Sequence, residues 1–304
     1  MKKLAKGLAL LLAAAMLCAL SAMASAAVTE PRSKTLEETN TYDYGTLQLQ
    51  IDRWHYEFRN QDVRFFVVNV RMDDPAQMQT AFAGEAYSKK TVEATSDIAK
   101  RHDAILAING DYYNYRDNVG LIIRNGVLYR DKETTRDLLL VYKDGTFKGL
   151  PAGTHKTGTG EAYLTEDVVQ CFSFGPLLVM DSQITTLPEK YIVSTGEGIR
   201  EPRTAIGQVD KNHYVIIIAD GRRSNWSDKG MTLQEMQQVF VEQGCKVAYN
   251  LDGGGSTTLI LDGEKINRSS GSRERDVSDI IYFTGVRPAA TAQPAAESTA
   301  EPAP

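Results

Sequence analysis

This chain of 304 residues contains little cysteine and histidine and has no excess of basic residues. The four histidines show neither an H-x-x-x-H pattern nor Cys/His spacing, so the sequence predicts no zinc site. The formal net charge is −5. We therefore expect the chain not to bind nucleic acids or anionic membrane surfaces, because it would gain little from counterion release.

Only one long apolar run is present, and it stands at the N-terminus. Three lysines precede the apolar residues 8–20, and Ala24-Ser25-Ala26 follows them. This is the pattern of a signal peptide, whereas a membrane-spanning helix, the alternative, needs about 20 apolar residues. We therefore expect residues 1–26 to be removed, the protein to be secreted or held in the bacterial cell envelope, and no stable membrane insertion afterwards.

Composition divides the remaining chain into three parts. Residues 27–41 are expected to be a linker, and residues 42–286, which hold nearly all the aromatic and branched residues, predict one large domain, with two small domains as the alternative. Residues 287–304 are rich in Pro and Ala and predict a disordered tail, because they cannot bury enough apolar surface. Cys171 and Cys245 remain after cleavage, either as a disulfide or as reduced core residues. The sequence does not indicate the oligomeric state.

Hydrophobic patterning predicts more strands than helices. Residues 47–51 alternate and residues 63–70 form a denser apolar run, both typical of strands. Turn dipeptides between apolar runs predict hairpins at Asn125-Gly126, Asp144-Gly145, Lys211-Asn212 and Asp262-Gly263.

Two helices are expected, at residues 91–102 and 232–243. In the second, Thr232 and Glu235 form a capping box, and Gly244 stands where a left-handed cap belongs. The expected fold class is therefore α+β or mixed α/β, with a mixed, hairpin-rich β-sheet and a few packed helices in a single domain.

Three apolar runs end in polar, glycine-containing loops rather than in tight turns. The runs are residues 104–108, 214–219 and 245–251. The loops after them begin with Asn109-Gly110-Asp111, Asp220-Gly221-Arg222 and Asp252-Gly253-Gly254-Gly255-Ser256-Thr257. In sheets with parallel strands, ligands bind outside the carboxyl ends of buried strands. We therefore expect these loops to meet at one ligand site.

The run Gly253-Gly254-Gly255 predicts an anion site. Glycines persist where side chains would block close approach or where unusual dihedral angles are needed. Successive amides in such a run can form an anion-binding nest, and Ser256 and Thr257 add hydroxyl donors. The Gly-Lys-Ser/Thr ending of a Walker loop is absent, so a phosphate site of another kind is predicted. A flexible surface loop is the alternative.

Three arginines accompany these loops. Arg203 precedes a strand expected to pair with residues 214–219, Arg222 lies two residues beyond Asp220, and Arg275 follows the last hairpin. A guanidinium binds phosphate through two donors at once, so the arginines favour a phosphate-containing ligand. The alternative is a solvated charge or an ion pair with a neighbour such as Glu201.

These strings together resemble the phosphodiester glycosidase family. They occur in the family's order over most of residues 109–283, and they are Ala107-Ile108-Asn109-Gly110-Asp111-Tyr112-Tyr113, Phe174-Gly175-Pro176-Leu177-Leu178, Arg203-Thr204-Ala205-Ile206-Gly207, Asp220-Gly221-Arg222, Gly230-Met231-Thr232-Leu233, Asn250-Leu251-Asp252-Gly253-Gly254-Gly255-Ser256-Thr257-Thr258 and Glu274-Arg275. The resemblance implies a hydrolase with a mixed α/β catalytic domain that cleaves an α-linked sugar, such as N-acetylglucosamine, from a phosphodiester. The expected partner is a glycosyl phosphodiester or a phosphate-containing polysaccharide.

Roles in such a reaction can be assigned as hypotheses. Asp252 and Asp220 are the predicted carboxylate pair, with Asp111 in reserve. Asn109 is assigned to a sugar hydroxyl, and the remaining substrate-binding residues are Gly110, Gly253, Gly254, Gly255, Ser256, Thr257, Arg203, Arg222 and Arg275.

Other interpretations of these residues remain open. No cofactor is firmly predicted, but a divalent cation such as calcium could be held by Asp111, Asp220 and Asp252. The chain could instead be a phosphodiesterase that attacks phosphorus, or an envelope protein that binds glycopolymer without catalysis. Tyr112, Tyr113 and Trp226 could stack on sugar rings, with core packing as the other use of these residues.

Overall fold

The computed structural model describes residues 31–58, 61–113, 118–189, 191, 198–222 and 228–287. The expected signal peptide (1–26), residues 288–304 of the expected tail and Trp226 lie outside the described residues. Within the described ranges, no helix has the length and apolar character needed to cross a membrane.

The described residues are mostly β-strand. Their strands are β1 (Ser33–Asp43), β2 (Leu47–Glu57), β3 (Asp62–Met72), β4 (Met78–Phe82), β5 (Leu106–Asn109), β6 (Leu121–Arg124), β7 (Val127–Asp131), β8 (Leu138–Tyr142), β9 (Phe147–Leu150), β10 (Val168–Phe172), β11 (Leu177–Met180), β12 (Gln183–Ile184), β13 (Arg203–Asp210), β14 (His213–Ala219), β15 (Val247–Asn250), β16 (Leu259–Leu261), β17 (Glu264–Lys265) and β18 (Asp279–Phe283). The α-helices are α1 (Thr95–Arg101), α2 (Gly160–Thr165) and α3 (Leu233–Glu242).

The strands form three sheets. The large sheet has the order β1-β2-β3-β14-β13-β15-β11-β12, the second sheet β7-β6-β10-β8-β9, and the third sheet β17-β16-β5-β18-β4. Every pair of neighbouring strands in these sheets is antiparallel. The prediction of a mixed sheet is therefore wrong, and the domain is β-rich with few helices rather than mixed α/β.

Packing on both faces of the large sheet explains this error. One face lies against α3, through Leu233, Met236 and Phe240. The other face packs on the second and third sheets in an apolar cluster that includes Ile216 and Ile108. All residues of β14 are buried. Unbroken apolar runs, which are typical of parallel strands under helices, arise here in antiparallel strands because both faces of the large sheet are covered.

The local predictions agree well with the structure. All four predicted hairpins are confirmed, joining β6 to β7, β8 to β9, β13 to β14 and β16 to β17. The predicted cap of α3 is also confirmed, since the Thr232 hydroxyl accepts from the Glu235 N–H at 3.1 Å and the Glu235 side chain accepts from the Thr232 N–H at 3.0 Å. Gly244 adopts a φ of 76°. The first predicted helix is shorter than expected and begins at Thr95.

Two predictions about other segments need correction or completion. The stretch 27–41 is not a linker over its whole length, because β1 begins at Ser33 and pairs with β2 along the edge of the large sheet. Its side chains are mostly exposed, which is why hydrophobic patterning missed it. Both cysteines are buried free thiols, so the disulfide alternative is not the one found.

Candidate active site

The ends of β14 and β15 lie at the same edge of the large sheet, on either side of the beginning of β13. This follows from the strand order, because β13 lies between the two strands and pairs antiparallel with both. Arg203, the first residue of β13, pairs with Ala219, the last residue of β14, and Asp220 follows directly. Two of the three glycine-containing loops therefore meet at the edge of an antiparallel sheet.

Asp252 lies where the large sheet meets the third sheet. Its carbonyl oxygen accepts from Nδ2 of Asn109 at 2.6 Å, and its N–H donates to the carbonyl of Gly110 at 3.4 Å. Its carboxylate oxygen Oδ2 accepts from the Ser256 hydroxyl at 2.6 Å and from Nη2 of Arg275 at 3.1 Å. Burial raises the pKa of Asp252, while the positive charge of Arg275 acts against this rise. The carboxylate is thus fixed beside a guanidinium group.

Asp220 is more deeply buried, with 5% of its surface exposed. Its Oδ1 accepts from the N–H of Arg268 at 3.0 Å and from Nδ2 of Asn267 at 3.2 Å. The same Asn267 amide group donates to the carbonyl of Thr257 at 3.1 Å, which ties Asp220 to the glycine loop. Burial raises the pKa of Asp220 to about 6, against the hydrogen bonds to Arg268 and Asn267, which lower it. Its carboxyl group can therefore exchange a proton near neutral pH.

Asn109 lies beneath the site rather than on its surface. It is fully buried, and its Oδ1 accepts from the Thr204 hydroxyl at 2.8 Å and from the N–H of Thr258 at 3.2 Å. With the bond from Nδ2 to Asp252, the side chain joins β5, β13 and the glycine loop. The predicted contact between Asn109 and a sugar hydroxyl is therefore not supported, because other segments cover the amide.

Asp111 belongs to a buried ion network behind the site. Its Oδ2 accepts from Nη2 of Arg124 at 3.1 Å and from the N–H of Ser173 at 2.8 Å. Arg124 also donates from Nε to Oδ2 of Asp279 at 2.8 Å, and the N–H of Asp111 donates to Oδ1 of Asp279 at 2.9 Å. Burial raises the pKa of Asp279, with Arg124 acting against the rise. Gly110 is needed here, since an added Cβ would lie 2.4 Å from the Asp279 carboxylate.

The glycine run forms a tight 3₁₀ turn, Gly254–Ser256, between two exposed arginines. An added Cβ would lie 3.4 Å from Nη1 of Arg222 at Gly254, and 3.1 Å from Cδ of Arg275 at Gly255. The side chains of Arg222 and Arg275 are 53% and 50% exposed, so both remain accessible to a ligand. Gly254 has a φ of 62°, which favours glycine, whereas an added Cβ at Gly255 would meet only the flexible side chain of Arg275.

The predicted anion nest is not found in this turn. The amides of Gly254, Ser256 and Thr257 donate to the carbonyls of Pro202, Gly253 and Gly254 at 2.8, 3.2 and 3.4 Å, respectively. The Ser256 hydroxyl donates to Asp252, and Thr257 is buried. These groups are occupied or covered, so the arginines are the accessible anion-binding groups.

Arg203 and Arg222 meet at a third carboxylate. Nε of Arg222 donates to Oε2 of Glu201, and this hydrogen bond raises the pKa of Arg222. Arg203 is buried, and its Nε donates to the carbonyl of Met231 at 3.3 Å. Burial lowers the pKa of Arg203 to about 10, with Glu201 acting against the shift and Arg222 adding to it. The ion pair with Glu201 was the alternative that the sequence left open for the arginines.

A shared cation site for Asp111, Asp220 and Asp252 is not found. Within the described residues, no group of three or more His, Cys, Asp or Glu side chains is placed to hold a metal ion. Asp111 is instead occupied by Arg124. Of the aromatic residues suggested for sugar stacking, Tyr113 is buried and Tyr112 is half-buried.

Sequence patterns did not identify several residues that shape the site. Asn267 and Arg268 hold Asp220, and Arg124 and Asp279 anchor the loop that carries Gly110 and Asp111. The signal that could have found Arg124 is a charged residue at the end of an otherwise fully apolar strand, where burial demands an ionic partner.

The chain is similar in sequence to known proteins. Residues 102–284 match the sequence model of the phosphodiester glycosidase family. The SPbeta prophage-derived uncharacterized protein YomE of Bacillus subtilis is 32% identical over 197 residues, covering 63% of this chain and 30% of YomE. Human N-acetylglucosamine-1-phosphodiester alpha-N-acetylglucosaminidase is 30% identical over 199 residues, covering 59% of this chain and 35% of the human protein. The chain thus spans about a third of the length of these curated relatives.

A solved structure shows the same fold. It is the catalytic domain of zebrafish N-acetylglucosamine-1-phosphodiester alpha-N-acetylglucosaminidase, auto-inhibited by its pro-peptide, with a TM-score of 0.64 and 20% identity over 82% of this chain and 88% of that one. The family match covers more than half of the chain and contains Asp220, Asp252 and Arg275. The chain therefore belongs to the phosphodiester glycosidase family.

Proposed function

We propose that this chain is an exported hydrolase that cleaves the bond between the anomeric carbon of a sugar and the phosphate group of a phosphodiester. The observation that carries the proposal is the meeting of Asp252 and Asp220 with two exposed guanidinium groups around one glycine turn. Family membership and the similarity to human N-acetylglucosamine-1-phosphodiester alpha-N-acetylglucosaminidase support an N-acetylglucosamine-like sugar. The proposed substrate class is a glycosyl phosphodiester of a cell-envelope or extracellular glycopolymer.

The arginines fit the departing group in this reaction. When the bond from C1 to oxygen breaks, its electron pair passes to the phosphate oxygen, and the leaving group becomes a phosphate monoester. Arg222 and Arg275 stand on both sides of the turn, where they can stabilise that charge as it develops. A cavity of about 360 Å³, lined by Val92 and residues 271–276, adjoins Arg275 and offers space for the aglycone.

The two carboxylates fit different parts of the chemistry. Asp252, fixed by Ser256 and Arg275, is assigned to the anomeric carbon, which it stabilises or attacks as positive charge develops there. Asp220, with a pKa raised to about 6 by burial, is assigned to accept the proton of the attacking water. The products are the free sugar and the phosphate monoester. Asn109 and Asp111 act beneath the site as positioning residues.

The proposal is tested with purified full-length protein and a panel of sugar-1-phosphodiesters, by measuring the release of free sugar. We expect Asp252→Asn to lower turnover by at least about a hundredfold, because the charge facing the anomeric carbon is lost. The matched control is Asp210→Asn, which makes the same change at the exposed far end of β13. Wild-type turnover by Asp252→Asn would remove this residue from the mechanism.

Isotope labelling separates the proposed reaction from attack on phosphorus. In water enriched in oxygen-18, cleavage at the anomeric carbon places the label in the sugar, whereas attack on phosphorus places it in the phosphate. Label in the phosphate would favour the phosphodiesterase alternative. Binding of the panel without any release of sugar would favour a non-catalytic glycopolymer-binding protein.

A further inference from the structure

Glu201 lies in the candidate site but has no part in the reaction described above. Its carboxylate accepts a hydrogen bond from Nε of Arg222 and also acts on the buried Arg203. The backbone of Glu201 is fixed to Met231 by two hydrogen bonds, of 3.2 and 2.9 Å. Arg222 has a φ of 64°, a conformation that residues with side chains rarely adopt. The backbone is therefore held in a defined conformation at both Glu201 and Arg222.

Glu201 also offsets part of the positive charge of the site. Among the described residues that border the glycine turn and the neighbouring strand ends, three carboxylates lie close to three guanidinium groups, and they are Asp220, Asp252, Glu201, Arg203, Arg222 and Arg275. The positive charges of Lys265 and Arg268 also act on Asp220. Without Glu201, the same groups would carry one more positive charge and would attract a doubly charged anion more strongly. The carboxylate beside Arg222 thus affects how much negative charge the site accepts.

Phosphodiesters and phosphate monoesters differ in their negative charge. A phosphodiester carries one negative charge, whereas a monoester, with a second pKa near 6, carries nearly two at neutral pH. We propose that Glu201 is a specificity-determining residue that makes the site prefer phosphodiesters over phosphate monoesters. This inference rests on the proposed function, in which the diester is the substrate and the monoester is a product.

The negative charge of Glu201 also favours release of the product. Before the reaction, the phosphate group of the diester competes with Glu201 for Arg222. When the bond from C1 to oxygen breaks, the electron pair adds a negative charge to the phosphate, next to the Glu201 carboxylate. Repulsion between these charges favours departure of the monoester, after which Glu201 pairs with Arg222 again. Glu201 therefore limits inhibition of the enzyme by its own product.

The test compares two ligands that differ by one charge and contain no sugar. Phenyl phosphate is a dianion at pH 8, and methyl phenyl phosphate is a monoanion. Their affinities for the full chain are measured by isothermal titration calorimetry. In Glu201→Gln, we expect the affinity for phenyl phosphate, relative to that for methyl phenyl phosphate, to rise on the order of tenfold, since two unit charges a few ångströms apart near a protein surface interact by at least the free energy of a tenfold change in affinity.

Two control variants make the result specific. Glu201→Asp keeps the negative charge and should keep the wild-type ratio of affinities. Glu264→Gln removes the same charge from the exposed hairpin formed by β16 and β17 and should leave the ratio unchanged. An unchanged ratio in Glu201→Gln, or an equal change in Glu264→Gln, would overturn the inference. The wild-type protein gives a test that needs no variant, because a clear preference for phenyl phosphate at pH 8 would also overturn it.

The outcome is separable from that of the proposed function. Neither ligand contains a glycosidic bond, so the binding ratio does not depend on turnover. A shifted ratio without sugar release from any diester would remove the proposed function and leave the charge selection in place. Sugar release with an unshifted ratio would remove the role of Glu201 alone. Failure of both ligands to bind would overturn the phosphate assignment of the site and the role of Glu201 with it.

Discussion

Replacement of Asp220 by Asn should stabilise the protein at alkaline pH. Burial raises the pKa of this carboxyl group from its ordinary value of 3.8 to about 6. The folded state therefore binds the proton more tightly than the unfolded chain. This contribution to stability is fully present below about pH 4 and is lost as the pH rises through 6. At 1.36 kcal/mol per pKa unit, the ionised carboxylate costs the folded state about 3 kcal/mol above pH 7.

Asn cannot ionise, and its side-chain oxygen can still accept from Arg268 and Asn267. We therefore expect the free energy of unfolding of Asp220→Asn to exceed that of the wild type by up to about 3 kcal/mol at pH 8, which corresponds to a rise in Tm of up to roughly 6 to 12 °C. Near pH 4, the two proteins should be equally stable. Thermal unfolding from pH 4 to pH 8 measures the difference. Asp210→Asn, an exposed site on the same sheet, should show no gain at pH 8. A Tm of Asp220→Asn at or below that of the wild type at pH 8 would refute the reasoning.

Three further substitutions test the turn and the ion network. Gly253→Ala places a Cβ 2.6 Å from the carbonyl oxygen of Pro202, so we expect the free energy of unfolding, measured by chemical denaturation, to fall by about 2 kcal/mol. Gly255→Ala meets only the flexible side chain of Arg275, so stability should change by less than about 1 kcal/mol while KM for the diester rises. Arg124→Met leaves two buried carboxylates without their cation and should lower the free energy of unfolding by about 3 to 5 kcal/mol at pH 8. The loss should be smaller at pH 5, where Asp279, whose pKa is raised by burial, can take up a proton. Equal stability of both alanine variants, or a loss in Arg124→Met that does not vary with pH, would contradict these expectations.

Local features of the fold could be predicted from the sequence because short-range physics determines them. The turn at Asn125-Gly126 needs positive φ at both positions, and the structure gives 50° and 76°. The capping box of Thr232 and Glu235 is likewise contained within four residues. Such features do not depend on which strands pair, so sequence patterns indicate them directly.

Long-range pairing limited the prediction of the site. The sequence indicated that the loops at Asp220 and Asp252 lie together and that β13 pairs with β14 through a hairpin, but not that β13 also pairs with β15. Asn109 was assigned to the ligand because a polar residue follows an apolar strand, yet segments distant in sequence cover it. Asp279 begins a short apolar strand, and only its contact with Arg124 reveals its place in a network. Pairing of this kind arises from the whole fold and leaves little trace in any short stretch.

The position of β13 between β14 and β15 has a consequence for the width of the candidate active site. The strands that precede the two proposed catalytic carboxylates are second neighbours, so their backbones stand about 9.5 Å apart, twice the usual interstrand spacing. Hydrogen-bonded ladders maintain this interval, and closing a loop over the substrate would not change it. In the proposed reaction, the sugar therefore meets two carboxylates whose backbone spacing is fixed, and we expect differences in substrate choice among related enzymes to come from the surrounding loops.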